Sequence, residues 1–189
     1  RLIEQPWNYM CQRFFPNQKR PMHAADIRFT PEQMKALKHF FENFEFFRIA
    51  AIASHNTINE VDRDFVDIVG ACLLKCICEV AKWAEFDRLF ILFEASDRIE
   101  TRVLTSLSSK KIQRGTEEIQ IELAVMPKSS CTPALEVADF IIHTAGAQTR
   151  ERNKGATKAR PDFEIIFRNV DSRLASFTEI TKVTGVINA

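Results

Sequence analysis

The sequence predicts an α/β domain with a partly parallel sheet, and three observations carry that expectation. Apolar runs of strand length stand at 45–54 and 87–93, and at 117–125 Ile119, Ile121 and Leu123 alternate with polar residues. Between and after them lie longer segments with apolar residues at helical spacing. The resulting order is strand, long helix, strand, helix, strand, helix, then a terminal strand or two, as in layered α/β domains.

Length and composition agree with a single domain over 1–189. The chain has 189 residues, 46% hydrophobic and 27% charged, enough for a sizeable core. Its net charge of +1 leaves partners open, because local patches make a phosphate track and totals do not. Sixteen Phe against one Tyr point to an aromatic interior. The five cysteines, at 11, 72, 76, 78 and 131, are odd in number and three crowd one segment, which suggests a reducing compartment and a cytoplasmic protein. No signal-peptide pattern opens the chain, and its most apolar run is broken by Lys75 and Glu79, so no membrane span is expected. No GxGxxG or P-loop is present.

Taken in order, residues 1–29 form an irregular lead-in of short helices and loops, because Pro6, Pro16 and Pro21 break any long helix. Thr30 to Gln33 reads TPEQ, a capping box with Pro at the first helical position, and predicts a helix to Asn43. A buried strand over 45–54 follows. The next helix, 59–85, carries Phe65, Val69, Cys72, Cys76 and Val80 at helical spacing, so Cys72 and Cys76 are expected in the core. Residues 87–93, DRLFILF, form the clearest strand, which is expected to be central and packed between helices. It runs directly into Glu94. A charged helix over 97–109 and a half-solvated strand over 117–125 come next.

Residues 129–146 predict one helix, with Thr132 as cap and Pro133 at the first position. Leu135, Ala138, Ile142 and Ala145 mark its buried face, and Gly146 leaves room for close backbone approach. Asp139 sits at the edge of that stripe, where a carboxylate needs a hydrogen-bond donor or a metal ion. Residues 149–162 read as a basic loop, with Gly155 and Pro161 as its marks. A strand over 163–170 would turn Phe163, Ile165 and Phe167 inward, and 173–181 is ambiguous between strand and helix.

Sites in open α/β sheets gather beyond the carboxyl ends of strands, so Glu94 and Asp139 are placed to converge. Two carboxylates that meet need a cation. Oxygen ligands suit Mg²⁺ or Mn²⁺, which activates water and clamps phosphate oxygens in nuclease chemistry. The plainer alternative is a Glu94 that caps the next helix with Asp97, and an Asp139 held by an arginine or a backbone N–H.

The segments ILFEASDRI and ALEVADFIIHTAG resemble the middle and C-terminal motifs of the bacterial domain-of-unknown-function 3800 family, and PMHAADI is similar to that family's short histidine-containing segment. The resemblance spans roughly residues 22–167. It implies a ribonuclease H-like layered domain, with a mixed central sheet flanked by helices, and a metal-dependent nuclease or phosphodiesterase. Glu94 and Asp139 would be its catalytic and metal-binding acids. Asp97 is a weaker third. The family opens on a strand with an aspartate, glutamate, serine and glycine motif that this chain lacks, so either an upstream segment is missing or the chain is a degenerate relative, acting as a nucleic-acid or protein interaction module.

His143, four residues after Asp139, is placed to hydrogen-bond it or to shuttle protons, although a histidine beside an apolar face is more often structural. His23 and Asp26 are isolated in sequence. Cys72, Cys76 and Cys78 make no zinc spacing with a nearby histidine. Within the basic run, Arg150, Arg152 and Lys154 are candidates for nucleic-acid contact against the alternative of a solvated loop.

Overall fold

A computed structural model of the chain describes residues 2–53, 65–83, 86, 88–95, 105, 112–114, 116–168, 170–171 and 173–180. Its elements are α1 (Glu4–Phe14), α2 (Pro31–Asn43), β1 (Arg48–Ala53), α3 (Phe65–Ala81), β2 (Arg88–Glu94), β3 (Ile112–Arg114), β4 (Glu117–Met126), α4 (Pro133–Asn153), α5 (Pro161–Phe163) and β5 (Ala175–Ile180). The α/β class is as expected. Two compact units divide the chain: Arg1–Ala50 with Lys128–Phe177, and Ala51–Pro127 with Thr178–Ala189.

The first unit is mainly helical, and its lead-in consists of α1, a 3-10 turn at Ala24–Asp26 and loops, in line with the expected short helices and loops. Pro6 falls in the first turn of α1, where the missing N–H removes no intrahelical bond, so the helix runs on to Phe14. That places Trp7, fully buried, edge-on to Phe40 of α2 at 5.0 Å and to Phe140 of α4 at 5.2 Å. Each such aromatic pair contributes roughly 0.5–1.5 kcal/mol beyond the area it buries. Helix α2 has the predicted bounds, and its capping box is complete: Gln33 N–H donates to Thr30 Oγ1 at 3.2 Å, and Thr30 N–H donates to Gln33 Oε1 at 3.0 Å.

Beyond the last turn of α2, Arg48 enters the core at 1% exposure. Its guanidinium donates to the carbonyls of Phe41 and Phe44, helix-end acceptors that α2 cannot satisfy itself, and packs against the rings of Phe41 and Phe46. No carboxylate among the described residues forms an ion pair with it. Burial pulls its pKa down to about 10, so it stays charged at neutral pH.

Helix α4 departs from its predicted length and phase. Thr132 is the N-cap residue, but its hydroxyl pairs with Ser130 at 2.8 Å and caps no N–H. The helix passes Gly146, where an added Cβ would meet nothing within 4 Å among the described residues, so none of them approaches closely there. It ends at Asn153, before Gly155 in the left-handed region at φ 92°. Arg150 and Arg152 therefore lie on a helical turn and not in a loop. Val137, Phe140, Ile141, Thr144, Ala145 and Gln148 form the buried face; of the predicted stripe only Ala145 is fully buried, and Ala138 and Ile142 are exposed.

The predicted strand over 163–170 is helical. Arg160 is the N-cap residue and Pro161 the first helical residue of α5, which continues as a wider turn over Glu164–Arg168. Phe163, Ile165 and Ile166 are all buried, and adjacent buried residues at 165 and 166 do not suit a strand with one solvated face. The ambiguous tail resolves as strand β5, which pairs with β1.

The second unit holds a three-stranded sheet in the order β2-β4-β3. β2 and β4 are parallel, from Arg88 opposite Gln120 to Glu94 opposite Met126, and β3 is antiparallel to β4. The expectation of a central β2 is thus corrected: among the described strands β4 holds the centre of this sheet and β2 an edge, with Phe90 61% exposed. Short β3, unanticipated, supplies β4 with its second neighbour. Ile119 of β4 and Ile77 of α3 form the core, joined by Leu73, Leu89, Ile91 and Ile121. Among the α3 side chains that are described, the deeply buried ones are Ile68 and Ile77, while Cys72 and Cys76 are half-buried. The predicted helix over 97–109 and the start of the helix at residue 59 lie outside the described residues.

Candidate functional site

Asp139 lies in the second turn of α4, on the rim of the face that packs inside the first unit. The chain that crosses this rim is the short segment around His23. Ala24 begins a 3-10 turn (Ala24–Asp26), and its backbone N–H donates to Asp139 Oδ2 at 2.8 Å. His23, extended at φ −108° and ψ 125°, brings Nδ1 to 3.9 Å from the same oxygen. Both side chains are about one-third exposed, at 32% and 38%. Among the described residues Asp139 Oδ1 accepts no hydrogen bond. The arrangement is a carboxylate anchored by one oxygen, with an imidazole alongside and its other oxygen available.

One turn earlier on α4, Glu136 shows the opposite treatment of a carboxylate. It is 2% exposed and surrounded by donors: Trp7 Nε1 at 2.6 Å on Oε2, with Arg20 Nε at 2.5 Å and the Met22 N–H at 2.8 Å on Oε1. Arg20 supplies the opposite charge that a buried carboxylate requires. Neither Glu136 nor His23 stands out in the sequence as a site residue. Glu136 reads as an exposed acid on a helix, and its donors come from 114 to 129 positions away. For His23 the available signal was the histidine-containing segment itself.

His143 does not hydrogen-bond Asp139 among the described residues. It lines a cavity of about 110 Å³ whose walls include Phe29, Phe140, Thr144, Arg160 and Asp162. Arg160 is committed to carboxylates, with Nε and Nη2 on Asp162 at 3.0 Å each and Nη1 on Glu151 at 2.7 Å. It is therefore part of the scaffold. Arg150, Arg152 and Lys154 are exposed at the C-terminal end of α4, and Arg152 lies about 6 Å from the rings of Phe163 and Phe177.

Glu94 closes strand β2 in the second unit, exposed, with the next N–H, that of Ala95, donating to Met126 O at 2.9 Å. Asp139 belongs to the first unit, and each acid is described within its own. Asp97 lies outside the described residues. Among the described residues no three His, Cys, Asp or Glu side chains gather as a metal-ligand group. His23 and Asp139 are two donors, of the nitrogen and oxygen types that Mn²⁺ accepts, while Mg²⁺ is served by carboxylate and water oxygens.

No family model matches the chain, and no curated protein or solved structure matches it.

Proposed function

We propose that the chain is a divalent-metal-dependent nuclease or phosphodiesterase of ribonuclease H-like type, with Asp139 at the centre of its site. The observation that carries this reading is the contrast between two carboxylates one turn apart on α4. Glu136 has both oxygens occupied by donors and is buried. Among the described residues Asp139 is fixed by the Ala24 N–H on Oδ2 alone; it stands partly exposed and keeps His23 beside it. A carboxylate held in place but left open on one side can take a cation. Asp139 Oδ1 is then the ligand that the first unit offers. The parallel pairing of β2 with β4 fits a mixed α/β layout, and the edge position of β2 among the described strands counts against the ribonuclease H-like part of this reading. Mg²⁺ or Mn²⁺, when bound, supplies water activation and charge neutralisation at phosphate oxygens.

A second reading, an interaction module that binds nucleic acid without cleaving it, is favoured by a different observation. Arg150, Arg152 and Lys154 stand exposed together where α4 ends, and exposed cations can follow a phosphate backbone without any metal. One experiment separates the two. End-labelled single- and double-stranded DNA and RNA are incubated with the protein in Mn²⁺, Mg²⁺ or EDTA, with Asp139→Asn alongside. Metal-dependent cleavage that disappears in Asp139→Asn supports the enzyme. Retention of the strands without cleavage in any metal supports the module, and neither retention nor cleavage sinks both.

A further inference from the structure

We infer that Glu136 is the positioning residue of the Asp139 site: it sets the register of the 20–24 segment on α4, and so delivers His23 and the Ala24 N–H to Asp139. The functional part of this inference rests on the proposed reading of Asp139 as an ion ligand; the positional part does not.

The geometry is a two-point clamp. Met22 and Ala24 are two residues apart with His23 extended between them, and in extended chain the N–H groups of residues i and i+2 point to the same side. Glu136 and Asp139 are three apart on a helix, which puts them on neighbouring turns of one face. The two spacings meet: Met22 N–H donates to Glu136 Oε1 and Ala24 N–H to Asp139 Oδ2, both at 2.8 Å. A slip of the segment by one residue would turn both N–H groups away from α4 and move His23 from Asp139. The two ties differ in strength. The Asp139 end is partly exposed, where water competes for the same groups, whereas the Glu136 end is sealed and joined by Trp7 and Arg20. The sealed end therefore holds the open one in place. Asp139 is left needing only one internal bond, which keeps its second oxygen for a ligand. Outer partners that orient a ligating group commonly change metal affinity by about 10–100-fold when removed.

The test is amide hydrogen exchange by NMR on the full chain, with Mn²⁺ titration as a second readout, in wild type, Glu136→Ala, Glu136→Gln and Trp7→Phe. The readout amide is that of Ala24, which touches Asp139 and not Glu136. In Glu136→Ala it should exchange at least about tenfold faster relative to the Phe41 amide of α2, and Mn²⁺ affinity should fall about tenfold with weaker broadening of the His23 ring signals. Glu136→Gln retains an acceptor for the Met22 N–H and should restore much of both. Trp7→Phe removes a donor from Oε2 only. It should accelerate the Ala24 and Phe41 amides together and lower Mn²⁺ affinity less than Glu136→Ala does. Should Glu136→Ala not fold, wild type still decides: the Met22 and Ala24 amides should open as one unit across denaturant. Independent opening of Ala24, or its unchanged protection in folded Glu136→Ala, would overturn the inference. Absence of Mn²⁺ binding in wild type would instead count against the metal reading, with amide exchange still deciding the role of Glu136.

Discussion

Asp139 receives the backbone N–H of Ala24 at 2.8 Å on Oδ2, and this single bond separates what Asn and Ala would do at position 139. Asparagine keeps an acceptor for that N–H and removes the charge. Asp139→Asn should therefore melt within about 2 °C of wild type, inside the range of ordinary surface substitutions. It should also lose any stabilisation by Mn²⁺ or Mg²⁺. Asp139→Ala leaves the Ala24 N–H without its partner and should cost about 1 kcal/mol. Thermal melts of the three proteins, with and without each ion, measure both effects. A purely structural Asp139 would give the same melting curves whether or not metal is added, in wild type and variants alike.

Arg48 offers a test of the core of the first unit. Its guanidinium satisfies helix-end carbonyls at Phe41 and Phe44 while its Cζ lies 5.2 and 4.7 Å from the ring centres of Phe41 and Phe46. Arg48→Ala removes the donors and opens a cavity, and should destabilise by about 3 kcal/mol. Arg48→Met fills most of the space and avoids burying a charge, so its cost should be smaller, about 2 kcal/mol for carbonyls left without donors. Urea unfolding of both variants gives the comparison. Equal costs would mean that the carbonyl bonds, and not packing, are what Arg48 provides.

The contrast between α2 and α4 shows what the sequence makes legible. Helix α2 is written locally: the Thr30–Gln33 capping box and Pro31 set its start, and Ala36, Leu37, Phe40 and Phe41 define one face. Helix α4 also begins where Thr132 and Pro133 indicate, but its phase is decided from far away. Glu136 is a charged residue on the buried face, and it becomes tolerable there only because Trp7, Arg20 and Met22 bring donors to it. A reading that puts charges outside rotates the helix and selects Ala138 and Ile142, which are exposed. Phe163, Ile165 and Phe167 mislead in a similar way, since alternation over five residues suits a strand until Ile166 is found buried as well. Asp139 is identifiable from the sequence as a residue in need of a partner. That the partners are Ala24 and His23 depends on long-range packing.

The cysteines predict how stability responds to alkali. Burial pushes the Cys11 thiol up to about 12 and the Cys76 thiol up to about 11, from an ordinary value of 9.0. Below pH 9 these thiols are protonated in folded and unfolded chains alike. Between pH 9 and about 11 the unfolded chain releases protons that the folded chain retains at both residues, and for Cys11 the difference extends to about 12. Stability should therefore fall as pH rises through that window. Urea midpoints at pH 8, 9 and 10 should decline, and Cys11→Ala, measured against its own value at pH 8, should decline less. In the folded protein Cys11, at 3% exposure, should also resist thiol reagents at pH 8 until denaturant is added. Rapid native-state labelling of Cys11 would contradict its burial on the inner face of α1.

Arg150, Arg152 and Lys154 test whether nucleic acid is the partner, through salt dependence and without any need for cleavage. All three are exposed where α4 ends, but they are not equivalent, because Arg152 also lies near Phe163 and Phe177. If they follow a phosphate backbone, binding of a single-stranded oligonucleotide should weaken with rising salt. Replacing Arg150 or Lys154 by Ala should then lower the magnitude of the log–log slope by about 0.7 for each phosphate that is no longer neutralised on a single strand. Melting should be unchanged in those two variants. Arg152→Ala should reduce the slope similarly and, in addition, lower stability by roughly 0.5–1 kcal/mol, because the guanidinium no longer stands over the aromatic rings. Fluorescence anisotropy across a salt series gives the slopes, and thermal melts give the stabilities. Slopes identical to wild type in all three variants would make this end of α4 a solvated surface, and the phosphate-binding surface would have to be sought elsewhere on the chain.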